Sequence, residues 1–347
     1  MGTFRSPVLV PSAMIRARLE SIERAATLSA SAESLIADIP AFAPHARPAI
    51  LLRPTEGTPG VRDSSVGGPL LWPEDEPWPV CRAPHLMEVR EKLSDEEREA
   101  WQRIDRDMKE RHRQNPGRAY EVTAEEARIQ DQIMAGASSL DMITWQRSRW
   151  VQDTSGPGVP MVPVVQLYSR DVPGDHWPAG MDVLQVLWCP NDHSELTDQA
   201  YYSGPTVELR YRSSSVVETA LNPPRPEQAD NGYLPEPCAV GPVEIVDLPA
   251  VDELPEDLYG EGCRWADARG IEFDRGLACR PGWKVGGWPS WHLTDLIPID
   301  CSCGARMRLF LTMDSGGDPD IVVGRFGELR IFTCPTDPSH PIRLNIQ

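Results

Sequence analysis

Lysine is nearly missing from this sequence: Lys92, Lys109 and Lys284 are the only ones among 34 basic residues, and the rest are arginines. Positive charge is scarce overall, since 52 acidic groups leave a formal net charge of −18 at pH 7. Proteins that wrap nucleic acid displace its counterions with Lys and Arg on the contact face, so this balance argues against such a partner. No run of 18 apolar residues occurs, which argues against a membrane-spanning helix and a membrane partner. The opening stretch MGTFRSPVLVPSAMIRARLE has no basic segment followed by an apolar one, so no secretory signal is expected. A cytoplasmic location is the resulting expectation. In that compartment eight cysteines are better read as thiols or metal ligands than as disulfides.

Catalytic signatures are missing too. There is no G-x-S-x-G, no H-E-x-x-H and no phosphate-cradling glycine loop. Asp175-His176, Asp192-His193 and Trp291-His292 set histidines beside useful neighbours. An isolated Asp-His pair in a loop is more often a surface pair than an acid–base device, and no nucleophile accompanies these. No catalytic residue is therefore expected.

Proline and glycine are abundant, at 35 and 26 residues, which suits short strands joined by turns. A length of 347 residues allows one large core or two medium ones. Helical spacing of apolar residues over 12–37 predicts an N-terminal helix, and the Pro-rich run 40–61 a connector holding a short strand at AILLRP. Residues 87–150 read as a helical insertion: LSDEEREAWQRIDRDMKERHRQ is charged and helix-forming, with Ser94 and Glu97 placed for a capping box. Strand patterns return from Val159, in MVPVVQLY, MDVLQVLW, TVELRYR, MRLFLTMD and ELRIFTC. The expected fold is a β-rich α+β protein with two pseudo-repeated β units. The expected boundaries are an N-terminal segment at 1–48, a first unit at 49–220, a linker at 221–242 and a second unit at 243–347.

The repeat is suggested by order. Gly67-Gly68-Pro69 precedes Trp72, then Cys81, a strand, and a strand ending at Cys189-Pro190 with His193 beyond. Gly286-Gly287 precedes Trp288 and Trp291, then Cys301 and Cys303, a strand, and a strand ending at Cys334-Pro335 with His340 beyond. So many ordered correspondences predict an internal duplication.

The strings SVGGPLLWP, WPVC, MVPVVQL, KVGGWPSW, CSCGARMRLFLTM and FGELRIFTC resemble the YwqG-like family of bacterial proteins. The second half is also similar to a domain of eukaryotic ribosome-assembly chaperones of the programmed-cell-death-protein-two and Tsr-four class. The resemblance covers about residues 60–85, 159–190 and 284–340. It departs at Met313, where the family has glutamine, and in the one-residue spacing of the paired cysteines. It implies a chaperone-like or immunity-like role in binding another protein.

Two sets of site residues follow. Glycines at positive φ let another backbone approach, so Gly67, Gly68, Gly286 and Gly287, with Trp72, Trp288 and Trp291, are either a groove for an extended peptide or turn and core residues. Zinc takes four Cys or His ligands, usually from two short knuckles. Cys301, Cys303, Cys334 and His340 offer one such set, and Cys81, His85, Cys189 and His193 another. Small buried hydrophobes are the alternative reading of these cysteines. Cys238, Cys263 and Cys279 have no partner at ligand spacing. The leading expectation is a non-enzymatic protein-interaction role, and the rival is an RNA-processing or metal-dependent enzyme.

Overall fold

The computed structural model describes residues 32–347, apart from 118, 154–157, 195, 198, 200–201, 218–220 and 228. Most of the helix expected at 12–37 lies outside the described residues, and 32–38 are helical. The chain forms two compact units, one of Met1–Arg82 with Pro157–Gln347 and one of Ala83–Gly156.

Ahead of the smaller unit come β1 (Arg47–Leu51), β2 (Pro54–Glu56), β3 (Ser65–Val66) and β4 (Val80–Cys81). Within it are β5 (His85–Lys92), helices α1 (Asp95–Gln114) and α2 (Ala124–Met134), then β6 (Ser139–Asp141) and β7 (Gln146–Asp153). After it follow β8 (Val159–Pro160), β9 (Val162–Tyr168), β10 (Val183–Trp188), β11 (His193–Ser194), β12 (Ser203–Gly204) and β13 (Val207–Arg212). Next are β14 (Cys238–Val240), β15 (Val243–Asp247), α3 (Glu256–Asp267) and α4 (Phe273–Gly276). Last come β16 (Lys284–Gly286), β17 (Arg308–Asp314), β18 (Glu328–Thr333) and β19 (Arg343–Ile346).

The smaller unit is an antiparallel sheet, β5-β7-β6, with a helical hairpin. Both helices begin on reciprocal caps. Ser94 Oγ accepts from the Glu97 N–H while Glu97 accepts from the Ser94 N–H, and Thr123 and Glu126 do the same. Arg111 on α1 grips Glu126 on α2, and Arg147 on β7 reaches Glu91, Glu97 and the Ile133 carbonyl.

The larger unit holds two six-stranded antiparallel sheets, ordered β13-β10-β9-β3-β14-β2 and β15-β1-β16-β17-β18-β19. Their inward faces share one core, in which Val66, Val165, Val186 and Trp188 of one sheet join Val285, Leu311, Leu329 and Ile331 of the other. Burying each such side chain contributes about 1.5–3 kcal/mol. A second cluster packs α3 and α4 through Phe42, Leu258, Trp265 and Phe273.

Positions around the two GG pairs agree closely. Val66 pairs with Val165 and Val285 with Leu311, and each glycine pair follows immediately. Both long central hairpins carry one extra residue at a bulge, Val164 in one and Phe310 in the other. Beyond the bulge Gln185 faces Gln166, and Arg330 faces Thr312. The Gln185 amide donates to the Leu71 carbonyl, three residues past Gly68, and Arg330 donates to the Ser290 carbonyl, three past Gly287.

The boundaries drawn from sequence separate segments that the fold interleaves. Strand β14 lies inside the stretch 221–242 expected to be a linker, and it sits between β3 and β2. Strand β1, expected with the first unit, sits between β15 and β16 of the other sheet. Linker composition hid β14 because three residues are too few to display a period.

Candidate metal centres

Strands β17 and β18 pair antiparallel, with Arg308 opposite Thr333. That register brings the chain just before β17 alongside the chain just after β18. Cys301 and Cys303 lie in the first stretch, on a turn closed by the Asp300–Arg306 bridge and by the Cys301 N–H to the Ala305 carbonyl at 2.9 Å. Gly304 takes φ +85° in that turn. Cys334 follows β18 directly, and His340 lies in the next loop.

The four ligand atoms lie within 4.8 Å of one another. His340 Nδ1 is 3.3 Å from Cys301 Sγ and 3.4 Å from Cys334 Sγ, and the sulfurs of Cys303 and Cys334 are 3.6 Å apart. Ligands on a tetrahedral zinc with the usual bond lengths sit about 3.3–3.8 Å apart, and these three distances fall in that range. Behind the imidazole, Nε2 of His340 is 3.7 Å from Asp337 Oδ2. That carboxylate acts through space, adding to Cys334 and Cys301 in raising the basicity of the ring.

Protonation points the same way. Burial opposes ionisation of Cys334, but hydrogen bonds from His340 and the backbone N–H groups of Asp337 and Thr336 outweigh it and bring the thiol to about 6. The Cys303 backbone N–H lowers Cys301. The Ala305 N–H favours the Cys303 thiolate, yet Cys301 and Cys334 together push that thiol up. Three thiolates this close repel one another, and a divalent cation among them removes the conflict.

The other set is arranged in the same way within the larger unit. Cys81 ends β4, whose partner β8 leads into β9; Cys189 follows β10, and His193 opens β11. The ligand atoms of Cys81, Cys189 and His193 lie within 4.8 Å of one another. Cys81 Sγ is 3.6 Å from His193 Nε2 and 3.2 Å from Thr206 Oγ1. Hydrogen bonding from Cys189, then from His193 and Thr206, brings Cys81 down to about 3, while Cys189 is pushed up by its neighbour Cys81. His85, four residues along the chain from Cys81, is the first residue of β5 in the smaller unit. All eight cysteines are unbridged thiols.

The glycine and tryptophan set divides between the two sheets. Gly67 and Gly68 follow β3, and a Cβ on Gly67 would stand 2.5 Å from the Glu236 carbonyl oxygen. Trp72 is fully buried, its N–H bonded to the Glu76 carbonyl and Arg212 over its ring. Gly286 ends β16, and a Cβ on Gly287 would stand 2.3 Å from Asp247 Oδ2. Trp288 donates its ring N–H to the His45 carbonyl beneath Arg47, and Trp291 lies under Arg330. Pro69, after the first pair, borders a cleft of about 600 Å³ whose walls include Glu56, Glu236, Asp318 and Pro319 and none of the Cys/His ligands.

Sequence reasoning missed the pair that holds the second GG loop. Lys284 Nζ is 2.9 Å from Asp247 Oδ2 and 2.8 Å from the Trp288 carbonyl. Asp247 also accepts from the N–H groups of Trp288 and Arg280, and both side chains are almost wholly buried. The scarcity of lysine was the available signal, since Lys284 abuts the motif itself. Compared with known proteins, the chain matches no family model, and no curated protein matches it.

Proposed function

We propose that this chain is a protein-interaction protein whose larger unit is held by structural zinc, one ion at Cys301, Cys303, Cys334 and His340. A second ion would sit at Cys81, Cys189 and His193. The observation that carries this reading is closure. Three sulfurs and one imidazole nitrogen fill every position of a tetrahedral ion, which suits a structural site, whereas catalytic zinc keeps a position for water or substrate. In the same proposal the two sheets are copies of one duplicated unit of the YwqG-like kind, as their matching registers, bulges and GG pairs suggest.

The partner would be a polypeptide added at β13. That strand is bonded to β10 alone among the described strands, and its six residues make the longest edge of the two six-stranded sheets. The other edges are less open. Strand β2 is short and contains Pro54, and β19 is covered by the Gln199 amide, which bonds the Leu344 N–H and the Ile342 carbonyl. Val207, Leu209 and Tyr211 anchor β13 on the core, leaving its outer backbone groups for an extended segment.

A photo-crosslinking residue at Arg210, expressed in the native host without a polyhistidine tag, tests both parts. The expected result is one identified partner crosslinked in near-stoichiometric yield, lost with Leu209→Pro, on protein holding about two equivalents of zinc. Zinc below about a tenth of an equivalent would refute the metal reading, and crosslinks unaffected by the proline would refute the edge.

A further inference from the structure

The two Cys/His sets differ in access. Cys81, Cys189, Cys301 and Cys334 are buried, and Cys303 is exposed. Cys303 also sits on a turn with room to move: a Cβ on neighbouring Gly304 would meet no atom within 4 Å. Its sulfur already lies 3.6 Å from that of Cys334. A disulfide needs about 2.05 Å, so a shift of about 1.5 Å in an open turn suffices.

We propose that Cys303 is an oxidation site, at which hydrogen peroxide or another hydroperoxide converts the Cys301, Cys303, Cys334 and His340 centre from a zinc site into a Cys303–Cys334 disulfide. This rests on the zinc reading above. The Cys303 thiolate attacks one peroxide oxygen; the O–O bond breaks, an S–O bond forms and hydroxide leaves. The Cys334 thiolate then attacks the sulfenic sulfur, forming the S–S bond and expelling a second hydroxide. The two sulfurs lose two electrons, the peroxide gains them, and two protons from solvent complete two waters. Stripped of two thiolates, the ion keeps only Cys301 and His340 and dissociates, because zinc does not bind disulfide sulfur.

The centre at Cys81, Cys189 and His193 supplies the internal control. Cys81 is enclosed by Thr206 and His193, and no exposed thiol stands beside it in the larger unit. Peroxide reaches thiolates according to their exposure, so the ion at Cys81, Cys189 and His193 should remain. The two halves of the larger unit would then respond differently to one oxidant.

The test uses the reduced, full-length, zinc-loaded chain and a chromogenic zinc chelator. Sub-millimolar hydrogen peroxide should release one of two equivalents, with a peptide map showing Cys303 joined to Cys334. Thiol reductant plus zinc should restore the starting state. Cys303→Asp, which keeps an oxygen ligand and removes the thiol, should hold its zinc and release it about ten-fold more slowly. Release of both ions together, retention of both, or a disulfide elsewhere would overturn the proposal while leaving the zinc reading intact. Reduced protein with no zinc at the outset would overturn both.

Discussion

The two sheets of the larger unit solve one structural problem with different chemistry. Each must fasten the loop that leaves its GG pair. In one sheet neutral amides hold the start of the loop, and the Arg212–Glu76 ion pair holds it further along. Gln166 Oε1 accepts from the Leu71 N–H at 2.7 Å, and its Nε2 donates to the Val61 and Asp63 carbonyls. Gln185 completes that network by bonding both Leu71 and Gln166. In the other sheet charges replace the amides: Lys284 and Asp247 grip the Trp288 backbone, and Arg330 takes the place of Gln185. The lesson is that a loop leaving a glycine pair can be fastened by dipoles or by ions. Ions are the riskier choice, because losing one partner strands a desolvated charge.

Removing metal should have the largest effect, and it tests whether the Cys/His centres matter equally to both sheets. Cys334→Ser is expected to release one equivalent of zinc and lower the melting temperature of the larger unit, whereas Cys263→Ser releases none; elemental analysis and calorimetry read both. Acid should act alike. In the metal-free folded chain, against the opposing effect of burial, His340 and the neighbouring backbone N–H groups lower the Cys334 thiol from the ordinary range near 9 to about 6. Its contribution to stability is therefore complete above about 9 and is lost as pH falls through 6. Zinc retention followed by chelator absorbance should decline at lower pH still, because the bound ion competes with protons for the same sulfur.

Next in size is Asp247→Ala, which leaves Lys284 buried without its counterion. A loss of about 3–5 kcal/mol in urea unfolding is expected, and less than about 1 kcal/mol would mean that the charged fastening is dispensable. Gln166→Leu probes the amide counterpart. Unsatisfied Leu71 N–H and Val61 and Asp63 carbonyl groups should cost about 1–3 kcal/mol, and a cost equal to that of Asp247→Ala would erase the contrast. Ser94→Ala comes last. It removes one cap of α1 and should cost about 1 kcal/mol, registered as faster hydrogen exchange in the first turn of that helix.

Much of the candidate site was legible because it is written locally. Cysteines and histidines at fixed short spacings need no tertiary knowledge, and the antiparallel pairing of β17 and β18 follows from two adjacent strand patterns. The Ser94–Glu97 box was legible for the same reason. Asp247 was not. It meets Lys284 across 37 residues and through a strand exchange that periodicity cannot reveal. Trp72 was ambiguous in another way, since an aromatic beside a glycine turn suits a groove as well as a core. Only its complete burial beneath Arg212 distinguishes the two.

The placement of β1 and β14 bears on how this chain can be divided. Each is flanked on both sides by strands from a distant stretch of sequence. Cutting the chain near residue 221 would leave the C-terminal fragment without the strand between β15 and β16, and the N-terminal fragment without the one between β3 and β2. Neither piece would be a subunit in its own right. Mixed together, however, the fragments carry every strand that both sheets require, so reassembly in trans would occur only as an obligate heterodimer. A deletion that removes either half of the sequence therefore takes a plank from the sheet it spares.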